Sequence, residues 1–145
     1  MKKIICMLFM AALCYPTMGS AAPIGAPFSV WSNTTYDKEG KIAGMLHVEQ
    51  GLDWFELAEK VRINTFVGGD LYGSNRPDNY WENMVSPEIG LKATYRFTPI
   101  KGGYASVEGG VKYKVKEYFG HESESGLEAF FGVNLGGDWL NGRGY

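Results

Sequence analysis

Apolar and polar residues alternate along most of this chain. From Val85 to Phe97 the odd positions are Val85, Pro87, Ile89, Leu91, Ala93, Tyr95 and Phe97, and the even ones are Ser86, Glu88, Gly90, Lys92, Thr94 and Arg96. A period of two marks a strand with one apolar and one polar face. The pattern returns in Ala105 to Val115, Leu127 to Trp139, Val61 to Gly73 and Ile42 to Trp54, and more weakly in Phe28 to Tyr36. On the five stronger segments the apolar face carries no Asp, Glu, Lys or Arg, and Gln50 is its conspicuous polar exception. The opposite face collects seven acids, Glu49, Asp53, Asp70, Glu88, Glu108, Glu128 and Asp138, and five bases, Arg62, Lys92, Arg96, Lys112 and Lys114.

Turn-forming stretches separate the segments: Asp37 to Gly40, Glu56 to Lys60, Thr98 to Gly102 and Gly120 to Ser125, with one longer link from Ser74 to Met84. Links this short join neighbouring antiparallel strands. The predicted fold class is therefore all-β, an antiparallel up-and-down meander, with no second domain.

An apolar face can look into a core or out to lipid. The alternating runs of 11 to 13 residues exceed the common globular strand and reach the roughly 9–11 residues that a tilted membrane strand needs. The charge-free faces suit a bilayer, where Lys or Arg at the midplane costs about 2–4 kcal/mol. Trp54, Phe55, Tyr72, Tyr80, Trp81, Tyr95, Phe97, Tyr104, Tyr118, Phe119 and Trp139 stand near strand ends, as interfacial girdles do. These features predict a small transmembrane β-barrel with Asp37–Gly40, Ser74–Met84 and Gly120–Ser125 on the outer side. Six strands are counted where monomeric closure is expected to need eight. Further hairpins are therefore expected inside Gln50–Lys60 or Ser74–Met84, unless several chains complete one barrel.

Residues 1–21 read as a secretory signal peptide, with Lys2 and Lys3 ahead of an apolar run from Ile4 to Leu13 and the small residues Gly19, Ser20 and Ala21 before the cut. Residues 22–145 then form the single barrel-like domain. Both cysteines, Cys6 and Cys14, fall in the leader, so the mature chain is expected to hold no disulfide. Losing Lys2 and Lys3 leaves 12 basic against 16 acidic residues. Such mild acidity identifies no partner, and with no bulk positive charge nucleic acid is not expected as one.

The leader, the cysteine-free mature chain, glycine-rich alternating strands such as Val107-Glu108-Gly109-Gly110-Val111-Lys112-Tyr113, and the terminal Tyr145 resemble small Gram-negative outer-membrane β-barrel proteins. The stretch from Pro87 to Phe97 is similar to the barrel ends of polysaccharide-export and phage-adsorption outer-membrane proteins. Arg143 departs from the pattern, because an apolar or aromatic residue is usual two places before the terminal aromatic. The resemblance implies an outer-membrane location, membrane lipid as surroundings, and an extracellular protein or polysaccharide as partner.

Catalytic and nucleotide-binding motifs are missing from the chain. His47, Glu49 and Asp53 share one strand face and could bind a metal or act as acid and base, but a salt-bridged lining is the plainer expectation. No cofactor and no metal are expected. His121-Glu122-Ser123-Glu124 reads as a charged hairpin tip. In a narrow barrel the twelve inward charges should pair and plug the lumen. The expected role is a non-enzymatic anchor whose longest loop meets a partner through Arg76, Tyr80 and Trp81. Two other readings stand beside it: a soluble exported β-domain in the periplasm or medium that binds sugar or protein, as a homo-oligomer covering its sheet edges, and a barrel enzyme acting on lipid through His47.

Overall fold

The computed structural model describes residues 22–100 and 103–138. The expected leader with Cys6 and Cys14, the tip of the Thr98–Gly102 turn, and Trp139, Arg143 and Tyr145 lie outside the described residues. Six antiparallel strands follow in order: β1 Pro27–Tyr36, β2 Ile42–Ala58, β3 Val61–Ser74, β4 Met84–Ile100, β5 Gly103–Tyr118 and β6 Glu124–Asp138. Each pairs with its chain neighbour, and β1 meets β6 to close a barrel. Among the described residues the only helical element is a 3-10 turn, Tyr80–Glu82, in the longest loop.

All six alternating segments are strands, and most run further than the pattern predicts. Where Glu56–Lys60 is expected to turn, β2 continues to Ala58, which pairs with Val61. Only Glu59 and Lys60 are left in the turn, and Lys60 takes a left-handed backbone with φ of 72°, a conformation that side chains other than glycine adopt at a cost. The longer strands are accommodated by register shifts at Asp53/Phe55, Glu56/Ala58 and Arg96/Thr98, all at the end of the barrel opposite the longest loop. Bulges gather at barrel rims because the extra residue relieves the tight curvature there.

The expected need for eight strands is not met, and neither Gln50–Lys60 nor Ser74–Met84 conceals a hairpin. Closure with six works through stagger. Around one level of the sheet Phe28 pairs with Gln50, Gln50 with Val67, Val67 with Ile89, Ile89 with Tyr113 and Tyr113 with Leu127, yet Phe28 itself meets Gly137. The ten positions from Leu127 to Gly137 are the shear of the barrel. With ordinary strand spacings this shear tilts the strands by about 50° and gives a backbone radius of about 7 Å. A steep tilt also explains the strand lengths. The 14 to 17 residues of β2 to β6 rise only about 30–36 Å along the barrel axis.

Strand parity divides the side chains. The charge-bearing positions point inward, where Asp53 is 0% and Glu88 2% exposed, while Leu46, Val48, Leu71, Leu91 and Val111 point outward and are 40–49% exposed. The centre of the molecule is thus polar and its surface apolar. Glycines on the inward face make room for larger neighbours. A Cβ on Gly90 would stand 2.6 Å from the ring of Phe66, which fills the lumen at that level.

One strand interface differs from the other five. Among the described residues β1 pairs with β6 only through Pro27–Asp138 and Phe28–Gly137, although both strands continue toward the longest loop. Beyond Phe28 they part, and the outward side chains of β6 (Leu127, Phe131, Val133 and Leu135) are 66–80% exposed. Gln50, the polar exception on an apolar face, sits at the closed end of this seam, and its Nε2 donates to Pro27 O at 3.0 Å and Gly51 O at 2.9 Å. Past the closed end β1 reads Ser32-Asn33-Thr34-Thr35, polar on both faces. This explains its weak alternation.

Candidate functional site

The lumen holds ion pairs at successive levels. At the narrow end Asp53 Oδ2 accepts from Arg96 Nη2 at 2.7 Å and Arg62 Nη1 at 3.1 Å, while its Oδ1 accepts from Asn64 Nδ2 at 3.0 Å. The Arg96 guanidinium lies 4.4 Å from the centre of the Tyr104 ring. At mid-height Lys92 bridges Glu49 at 2.5 Å and Glu108 at 2.8 Å. Above it Lys112 pairs with Glu88 at 2.9 Å, Lys114 with Asp70 at 2.5 Å, and Asp70 also binds His47 Nδ1 at 2.7 Å. Lysines 92 and 112 further cover the rings of Phe66 and Phe130 at 5.0 and 5.3 Å. Each charge has an opposite partner, the condition under which a buried ion can be tolerated. The pairs span neighbouring and next-neighbour strands, so the network ties β2, β3, β4 and β5 to one another.

The expected grouping of His47, Glu49 and Asp53 is only partly realised. His47 and Glu49 are close, but Asp53 belongs to the arginine cluster at the narrow end, because it stands four positions further along β2 than Glu49. Glu88 of β4 takes its place beside them.

At the opposite end the lumen opens into a cavity of about 550 Å³ lined by Asn33, Met45, Tyr72, Trp81, Met84 and Tyr118, among others. Three loops surround it: 37–41, 75–83 and 119–123. They are locked together rather than splayed. Lys41 Nζ binds Asp78 at 2.6 Å and Glu82 at 2.7 Å, and these hydrogen bonds hold its pKa above the ordinary 10.5. Ile42 N donates to Asn75 Oδ1 and Ser74 N to Asn83 Oδ1, each at 2.8 Å.

The three loop residues expected to meet a partner take different places. Trp81 is a wall of the cavity and half exposed. Tyr80 packs edge-on against Trp81 and Tyr118 and lies 4.7 Å from the His121 ring, centre to centre. Arg76 donates from Nη1 to Glu39 O at 2.8 Å, fastening the longest loop to the first. The structure brings Tyr80 and Trp81 together and sets Arg76 apart. His121, expected only at a charged tip, joins their aromatic cluster.

The expected aromatic girdles need one correction. Tyr72 and Tyr104 face inward, Tyr72 into the mouth cavity and Tyr104 beneath Arg96. They occupy even positions of β3 and β5, the same parity as Asp70 and Glu108, and parity outranks nearness to a strand end. Tyr118, also expected in a girdle, faces inward by the same parity and lines the cavity, and this signal would have found Met84 and Lys116 there too. Phe55, Tyr95 and Phe97 at one end and Phe119 at the other remain outside and exposed. No protein-family model, curated protein or solved structure matches this chain.

Proposed function

We propose that this chain is an outer-membrane β-barrel that acts as an anchor and presents the loop-bearing mouth, with Tyr80 and Trp81 at its rim, to an extracellular protein or polysaccharide. The inverted distribution of polarity carries this reading. A soluble monomer rarely leaves contiguous apolar surface of this extent in water, whereas Leu46, Val48, Leu71, Leu91, Val111, Phe131 and Val133 are all exposed around a lumen of buried ion pairs. The strands rise past the roughly 25 Å apolar band of a membrane barrel. Mouth aromatics and the ordered loops give a partner a fixed surface with apolar walls and polar edges, the usual make-up of a binding pocket. Paired charges fill the lumen, so the barrel is an anchor and not a diffusion pore.

The test is fractionation of cells making the protein. Recovery in the outer membrane, with slower gel migration after boiling, is the expected result, and purified barrels should conduct no steady current in a planar bilayer. Recovery as folded, monodisperse protein from the periplasm without detergent would overturn the reading in favour of a soluble exported domain.

A further inference from the structure

We propose that His47, Glu49 and Glu88 form a binding site for one divalent transition-metal ion of the zinc class inside the lumen. The three side chains come from β2 and β4 and each offers one ligand atom, all within 4.8 Å of one another. They border a partly open cavity of about 130 Å³ that Glu108, Ser29 and Asn134 also line. That volume holds an ion and its water. Around a tetrahedral zinc with bonds of about 2.0–2.1 Å, ligand atoms lie roughly 3.3 Å apart, a contraction that side-chain torsions of two glutamates can supply.

Three further observations point to a cation here. Asp70 holds His47 through Nδ1, which leaves Nε2 with no hydrogen-bond partner among the described residues. A carboxylate on one ring nitrogen with the metal on the other is the usual way an outer partner fixes a metal-binding imidazole. Each glutamate also spends one oxygen on lysine and keeps the other: Glu49 Oε1 meets Lys92, and Glu88 Oε2 meets Lys112. Finally, charge across the mid-height level and the one above it does not balance. Glu49, Asp70, Glu88 and Glu108 face Lys92, Lys112 and Lys114, four acids against three lysines. Imidazole with carboxylate oxygens is a donor set that suits Zn²⁺. The site needs no particular medium outside the barrel, so it stands apart from the membrane reading.

The test uses the mature barrel folded in detergent, with Co²⁺ as optical probe and Zn²⁺ as competitor. One Co²⁺ per chain is expected, with visible bands of a low-symmetry site that Zn²⁺ abolishes. His47→Gln should weaken Co²⁺ binding at least 100-fold. Glu49→Gln, Glu88→Gln and Asp70→Asn should each weaken it 10- to 100-fold, and His121→Gln should leave it unchanged. A Co²⁺ spectrum of the free aqueous ion, or binding that survives His47→Gln, would overturn the proposal. Should a variant not fold, nitrogen NMR of the unaltered protein decides: Zn²⁺ must shift the Nε2 resonance of His47. A shift confined to His121, or an Nε2 that stays protonated and unmoved, would mean that imidazolium supplies the missing charge and no ion binds.

Discussion

The two ends of the lumen are built from the same six strands and the same inward parity, yet one is solid and the other hollow. At the narrow end Asp53, Asn64, Arg62, Arg96 and Tyr104 close the interior, and the seam is stitched by Pro27 and Phe28. At the mouth the inward residues of β1 to β5 are Asn33, Met45, Tyr72, Met84 and Tyr118, and a cavity remains between them. Parity decides which side chains look inward. Whether they fill the space depends on their size and charge pairing, and on how far β1 and β6 stay together. The narrow end is therefore where stability is concentrated, and the mouth is where a ligand finds room.

The largest effect should come from breaking the narrow end. Asp53→Ala strands Arg62 and Arg96 without their shared carboxylate, and removal of one member of a buried pair costs about 3–5 kcal/mol. Urea unfolding of detergent-folded protein should show this loss. Trp81→Ala at the mouth should leave the midpoint close to that of the unaltered chain, and equal losses would erase the distinction between the two ends.

The seam offers a sharper test, because Ser32 has a laddered neighbour on one side and an open edge on the other. Ser32 pairs with Leu46 of β2, and continuing the register of the closed end would set it opposite Val133. The cysteines of the full sequence, Cys6 and Cys14, fall in the expected leader, so introduced pairs in the mature chain are free of competition. Oxidation should link Ser32→Cys with Leu46→Cys and stabilise the barrel by about 2–4 kcal/mol. Ser32→Cys with Val133→Cys should stay reduced, since a bond requires Cα atoms within about 7 Å. Fast bonding across the seam would show that it closes along its length.

The smallest effect concerns the loops at the mouth. Lys41 has a pKa raised by its hydrogen bonds to Asp78 and Glu82. A raised folded-state value means that the stabilisation is complete below the ordinary 10.5 and fades as pH climbs through the raised value. Proteolysis within 75–83 should accordingly accelerate only in strong alkali, with the strands still protected. Acceleration at neutral pH would show that Lys41 does not hold the loops.

Much of the architecture was legible in the chain because a strand has only two faces. Alternation alone located all six strands, and it separated Glu88, Lys92 and Asp70 from Ile89, Leu91 and Leu71 without reference to any partner. The aromatic residues were read less well. Position near a strand end suggested a girdle for Tyr72 and Tyr104, but their even positions already placed them inside. The links were misjudged for a different reason. Glu56 to Lys60 holds three charged residues and looks like a turn, although bulges let Glu56 to Ala58 continue the ladder.

What the chain determined by itself is local: the period of two, the charge-free face and the polar stretch of β1. What only the tertiary structure decided is the closure. Shear, seam and lumen pairing arise from which strand meets the first one and at what level, and no spacing along one strand encodes that offset. Hence six strands suffice where eight were expected, and Glu88 from another strand, not Asp53 from the same one, stands beside His47.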